Sequence, residues 1–149
     1  MKNYRQGFTL IEIMLVVILI GILAAITVPR LSGKATQARE AAAKSEIEGS
    51  LAMSLDLYEL DAGSYPTTAQ GLKSLIEKPS LPPLPINWKG PYLKKKQVPR
   101  DPWGNDYMYE CPGKNNEDFD LSSMGPDGIV GNEDDINNWD SRKETTEQQ

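Results

Sequence analysis

Phe8-Thr9-Leu10-Ile11-Glu12-Ile13-Met14-Leu15-Val16-Val17-Ile18-Leu19-Ile20-Gly21-Ile22-Leu23-Ala24-Ala25-Ile26-Thr27-Val28 carries one charge in 21 residues, the carboxylate of Glu12. At a helical rise of about 1.5 Å per residue the stretch is about 31 Å long, the thickness of a bilayer's hydrocarbon core, so one membrane span is predicted. Thr9 and Thr27 are its other polar residues. A carboxylate inside a spanning helix costs about 2.5–3.5 kcal/mol, so Glu12 is expected to have a partner.

The seven residues before this stretch contain Lys2 and Arg5. Positive residues stay on the cytoplasmic side, which places the C-terminal part outside the inner membrane. A secretory signal would end a shorter apolar core at a small-residue cleavage site. Ala24-Ala25-Ile26 matches such a site poorly, and the apolar run passes without a loop into a polar helix pattern. The segment is therefore expected to be retained, with any cut falling before it.

Pro29 removes a backbone donor and clashes with the preceding turn, which predicts a kink with helix on both sides. Beyond Leu31, Ala35, Ala38, Ala42, Leu51, Leu55 and Tyr58 recur at helical spacings and predict one apolar face on a helix ending near Asp61. Lys34, Arg39, Glu40, Lys44, Glu46 and Glu48 fall mainly on the other faces, as a solvated surface would.

The 120 residues after Pro29 suit one small extracytoplasmic domain. Ala62-Gly63-Ser64-Tyr65-Pro66 ends the helix, and Thr67-Thr68-Ala69-Gln70 has the spacing of a capping box, predicting a short helix through about Glu77. Seven prolines between Pro79 and Pro102 predict an ordered loop, packed down by Trp88 and Tyr92 and bearing the basic run Lys94-Lys95-Lys96. Asp106–Cys111 and Asp118–Ser122 nearly alternate polar and apolar residues around Pro112-Gly113-Lys114-Asn115-Asn116. That pattern predicts a hairpin burying Tyr107, Tyr109, Phe119 and Leu121 against the long helix. The fold class is α+β.

The net charge is −5, and −7 without the leader's two cations, which disfavours nucleic acid as a partner. There is no His, no P-loop pattern and no nucleophile motif, so no chemistry is expected of the chain. Cys111 is the sole cysteine and cannot form an intrachain disulfide. Ser123-Met124-Gly125-Pro126-Asp127-Gly128-Ile129-Val130-Gly131-Asn132-Glu133-Asp134-Asp135-Ile136 holds four carboxylates. Calcium suits such a loop, since it takes six to eight hard oxygen ligands, carboxylate or carbonyl. The spacing does not fit an EF-hand, and a loop rich in Asx turns is the alternative.

Gly7-Phe8-Thr9-Leu10-Ile11-Glu12 after a cationic leader closely resembles the class III signal of type IV pilins and type II secretion pseudopilins. The resemblance implies that a prepilin peptidase cuts between Gly7 and Phe8 and methylates the new amino terminus of Phe8. It further implies that Glu12 pairs with the Phe8 amino group of a neighbouring subunit during assembly. Tyr65-Pro66-Thr67-Thr68, Gln70-Gly71-Leu72, Gly90-Pro91-Tyr92-Leu93, Asp101-Pro102-Trp103-Gly104, Ser123–Gly128 and Asp134–Trp139 resemble the major pseudopilins of type II secretion systems. That likeness implies a type IV pilin-like fold and a calcium site with side-chain ligands Asp127, Asp134 and Asp135 and carbonyls from Met124, Ile129 and Asn132. Pro126 stands where a small residue is usual.

The organisation so implied is a cleaved leader (1–7), a membrane and filament-core segment (8–28), a periplasmic domain (29–139) and a polar tail (140–149). The function implied is that of a homopolymeric filament subunit in the inner membrane and periplasm. Its partners would be minor pseudopilins, an inner-membrane assembly platform, a secretin and secreted exoproteins. A type IVa pilin of a surface fibre is the alternative, disfavoured by the lone cysteine and the aspartate loop. A membrane-anchored, calcium-dependent enzyme is a more distant one.

Overall fold

The computed structural model describes residues 8–140, with the backbone alone for residues 24–32. One helical run comes in three pieces: α1 (Leu10–Ser45), a π-helical turn (Glu46–Leu51) and α2 (Ala52–Ala62). Helix continues on both sides of Pro29. The chain divides between Gln37 and Ala38 into two compact units. In the first, the side chains from Phe8 to Leu23 are exposed all round the helix. Among the described residues no helix is long and apolar enough to cross a membrane. The expected span, Phe8–Val28, runs past Leu23 into residues whose side chains lie outside the description.

The second unit is built on the end of the helical run, whose buried face is Ala43, Ile47, Leu51, Leu55, Tyr58 and Ala62. Ala35, Ala38 and Ala42, expected on that face, are exposed. Helical spacing marks an apolar stripe but not where the domain's cover begins, and here it begins at Ala43. Each step of four on an α-helix turns the stripe by about 40°, so the steps from Ala43 to Leu55 would swing it by about 120°. The wider π turn over Glu46–Leu51 takes up that rotation and keeps these residues on one side.

Gly63 stops the helix in the left-handed conformation (φ 87°), its N–H donating to the Glu59 carbonyl at 2.7 Å. The Thr67/Gln70 capping box forms: Thr67 N–H donates to Gln70 Oε1 at 2.9 Å and Gln70 N–H to Thr67 Oγ1 at 3.3 Å. Only a 3₁₀ turn, Leu72–Leu75, follows it, in place of the helix expected through Glu77. The Gln70 amide is used elsewhere, donating to the Leu81 and Pro83 carbonyls at 2.7 and 2.8 Å and tethering the proline-rich loop.

Trp88 and Tyr92 do pack that loop down. Trp88 Nε1 donates to the Ser74 carbonyl at 3.0 Å, and Tyr92 meets both Trp88 and Tyr58 edge to face. Tyr92 Oη donates to Asp61 at 3.2 Å, and Lys89 Nζ holds the same carboxylate at 2.8 Å. That ammonium, helped by the hydroxyl against partial desolvation, keeps Asp61 below the usual carboxylate range. Gly90 lies against the Trp88 ring, where any β-carbon would collide. Lys94, Lys95 and Lys96 are exposed.

The hairpin is β1 (Met108–Glu110) against β2 (Asp120–Ser123), antiparallel, with Tyr109 opposite Leu121. Alternation sends Tyr107, Phe119 and Leu121 into the core with Ile47, Leu51 and Leu55, and Tyr109 part-way in, where its hydroxyl donates to the Pro66 carbonyl at 2.7 Å. Truncating one of these buried leucines to alanine costs about 2–5 kcal/mol. A third strand, β3 (Ile136–Asn137), pairs with β2 and was not expected from the sequence. Beyond it Asn138 joins the ladder with both backbone and side chain: its N–H donates to the Leu121 carbonyl at 3.1 Å, its Oδ1 accepts from Leu121 N–H at 3.0 Å, and its Nδ2 donates to the Phe119 carbonyl at 3.1 Å.

Candidate functional site

Two regions bear on function, one in each unit. Gly7, half of the expected cleavage junction, lies outside the described residues, and Phe8 is the first described and is exposed. Thr9 is the N-cap of α1, and its N–H and hydroxyl both donate to Glu12 Oε2 at 3.3 Å. Glu12 N–H donates back to Thr9 Oγ1 at 3.3 Å. Glu12 is thus the third residue of a reciprocal capping box, at the helix end whose dipole favours a carboxylate. The Thr-x-x-Glu spacing signals this contact in the sequence.

The second region is the loop Met124–Asp135, closed at its base by the pairing of Ser123 with Ile136. Gly125, Gly128 and Gly131 have φ of 64°, 70° and 90°, so the loop turns three times through conformations that only glycine adopts freely. Asp127 Oδ1 accepts from Ile129 N–H at 2.9 Å and its Oδ2 from Asn132 Nδ2 at 2.6 Å. Asn132 Oδ1 accepts from Asp134 N–H at 3.1 Å, and Asp135 Oδ2 from Gly131 N–H at 2.6 Å. The Asp127–Ile129 and Asn132–Asp134 bonds are Asx turns, the alternative to a metal site, and with the other two they organise the loop. Asp135 Oδ1 is buried without a hydrogen-bond partner, which a cation would satisfy. Among the described residues no three His, Cys, Asp or Glu side chains gather as a metal cluster. A hard cation here would need main-chain carbonyls beside the carboxylates, a donor set that calcium accepts.

Two buried aspartates brace neighbouring turns, Asp101 beneath the terminal loop and Asp120 in the β1–β2 turn, and sequence reasoning missed both roles. Asp101 Oδ1 accepts from Trp103 and Asn105 N–H at 3.0 and 2.8 Å, shaping the Asp101–Asn105 turn. Its Oδ2 accepts from Ser123 Oγ at 2.7 Å, and Ser123 Oγ accepts from Gly125 N–H at 3.2 Å. Asp120 Oδ2 accepts from Lys114 N–H, Asn115 N–H and Asn115 Nδ2 at 2.8–2.9 Å, and its Oδ1 from Asn116 N–H at 2.9 Å. Burial alone would raise the Asp120 carboxyl; the Asn115, Asn116 and Lys114 amides overcome it and hold the group below the usual carboxylate range. Asp-x-x-Gly-Asn is a turn signal legible in sequence, but a bond to a serine 22 residues away is not.

The type II secretion system protein G family matches residues 30–139, and the prokaryotic N-terminal methylation motif matches residues 2–28. The chain belongs to the type II secretion system protein G family. It is 51% identical to the type II secretion system core protein G of Escherichia coli over 91% of each chain. It is 49% identical to the Pseudomonas aeruginosa core protein G over 94% of this chain and 99% of that one. The crystal structure of the major pseudopilin from the type 2 secretion system of enterohaemorrhagic Escherichia coli aligns with a TM-score of 0.65 at 40% identity, over 75% of this chain and 96% of that one. The α+β, pilin-like fold is therefore that of a pseudopilin. In this protein G chain the half-buried Cys111 has no disulfide, and burial pushes its thiol up. Its C-terminal region is fastened by the β2–β3 pairing, Asn138 and the Asp101–Ser123 bond.

Proposed function

We propose that this chain is the major structural subunit of a type II secretion pseudopilus. The protein G family match across residues 30–139, joined to the methylation motif on residues 2–28, carries this reading. The subunit is held in the bacterial inner membrane by the segment 8–28, with its domain in the periplasm. Prepilin peptidase cuts after Gly7 and methylates Phe8. Subunits then polymerise, with minor pseudopilins and the inner-membrane platform, into a filament that helps drive folded exoproteins through the secretin. Glu12 exchanges its bonds to Thr9 for the Phe8 amino group of a neighbour, since a buried charge pair in lipid is tolerable where a lone charge is not. The chain acts by assembly and carries out no reaction of its own.

The terminal loop holds Ca2+ through Asp127, Asp134 and Asp135, with carbonyls from Met124, Ile129 and Asn132. The unpartnered Asp135 oxygen supports this reading. The ion supplies positive charge among four acids; the residues of the chain hold the loop in shape around it, in the place of a disulfide. Deleting the gene should leave exoproteins trapped in the periplasm, and Gly7→Ala should abolish release of a chain beginning at Phe8. Normal secretion in the deletion strain, with loss of surface fibres, would support the type IVa pilin instead.

A further inference from the structure

α2 buries one side in the core and leaves the other bare. Met53, Leu57 and Leu60, spaced four and three apart, form an exposed apolar ridge; Leu60 is 82% exposed. Asp56 and Glu59 flank it, and among the described residues neither is in an ion pair, their neutral partner being the Tyr65 hydroxyl, which donates to Asp56 Oδ1 at 3.1 Å. On the same unit a cavity of about 550 Å³ opens between the 3₁₀ turn and β1, walled by Leu72, Ile76, Val98, Tyr107 and Tyr109. The charges round that cavity are unbalanced in the opposite sense. The acids Glu77 and Asp106 are already paired, with Lys73 and Arg100, whereas Lys96 on the rim and the nearby Lys78 have no acidic partner among the described residues. An apolar ridge whose acids lack a cation and an apolar cavity whose cations lack an acid, among the described residues, therefore lie on one chain as two different surfaces.

We propose that the α2 ridge of one copy docks in the Leu72–Tyr109 cavity of the next. The inference rests on the filament reading and adds a specific contact between the small domains. Because the two surfaces differ, the contact is head to tail, and such contacts continue into a helix unless the rotation closes a ring. Asp56 and Glu59 facing Lys78 and Lys96 set the register and disfavour a ridge meeting a ridge, where like charges would oppose.

Pairwise cross-linking in the full chain, expressed in its host with Cys111→Ser, tests this. Leu60→Cys combined with Gln97→Cys, at the cavity rim, should give an oxidised ladder of multimers, and each variant alone should give none. Dimers from Leu60→Cys alone would show that the ridge meets itself and would overturn the proposal. So would filaments visible by electron microscopy without a ladder, or cross-links from Gln97→Cys to an exoprotein in place of a second copy. Charge exchange gives a second arm: Asp56→Lys with Glu59→Lys should cut filament yield about tenfold, and adding Lys78→Glu with Lys96→Glu should restore it. A missing rescue in a folded quadruple variant would overturn the contact. Absence of any filament from the wild-type chain would instead strike the functional reading, and the contact with it.

Discussion

Replacing Asp120 by asparagine tests how far the buried carboxylate, rather than the turn sequence around it, holds the hairpin. The four hydrogen bonds it accepts at 2.8–2.9 Å all come from Lys114, Asn115 and Asn116, the turn between β1 and β2. An amide can keep its oxygen at the Oδ2 position, which serves three of these donors, but its NH2 then faces the Asn116 N–H. One hydrogen bond to a charged group is lost, costing about 1.5–3 kcal/mol, and the other three weaken as the charge disappears. A total near 3 kcal/mol corresponds to a fall in Tm of about 12 °C for a domain of this size. The assay is thermal unfolding of the fragment from Arg30 onward, followed by circular dichroism across pH. The folded Asp120 value lies below the usual range, so its stabilisation is complete above about pH 4 and is lost as pH falls through the folded value. Asp120→Asn should therefore lose stability at neutral pH and show a shallower decline in acid. A Tm within about 3 °C of wild type at pH 7, or an unchanged acid limb, would refute the reasoning.

Glu12→Ala should insert in the membrane normally but yield no filaments; normal filaments by electron microscopy would remove its assembly role. Calcium at about 100 times its Kd should stabilise the fragment by about 2.7 kcal/mol, a gain erased by chelator and absent in Asp135→Asn; an unchanged melting curve on chelation would leave the aspartates as turn formers. Gly90→Ala should displace Trp88 and destabilise the fragment by about 1–3 kcal/mol, with the indole emission moving toward longer wavelength. Unaltered emission and Tm would show that the ring yields without cost.

The features legible in the sequence are those set by near neighbours. The helical run to Ala62, its glycine stop, the Thr67/Gln70 capping box and the hairpin are each encoded within a few residues. The capping box misled in one respect, because its bonds need only a single turn and do not require a helix through Glu77. The terminal loop was legible as a place of turns and charge, since glycine and aspartate act on their own backbone. Its support was not: Asp101 reads as part of a local turn until Ser123 is folded against it.

The sequence by itself determined that this chain has an apolar, singly charged helix before a small α+β domain, because period, charge and turn chemistry act over short range. The tertiary structure alone decided that the helix is covered from Ala43 and not from Ala35, that a π turn absorbs the rotation of its stripe, and that Asn138 completes a strand. Those outcomes depend on which surfaces meet across many residues, where burial and hydrogen-bond satisfaction outweigh local preference.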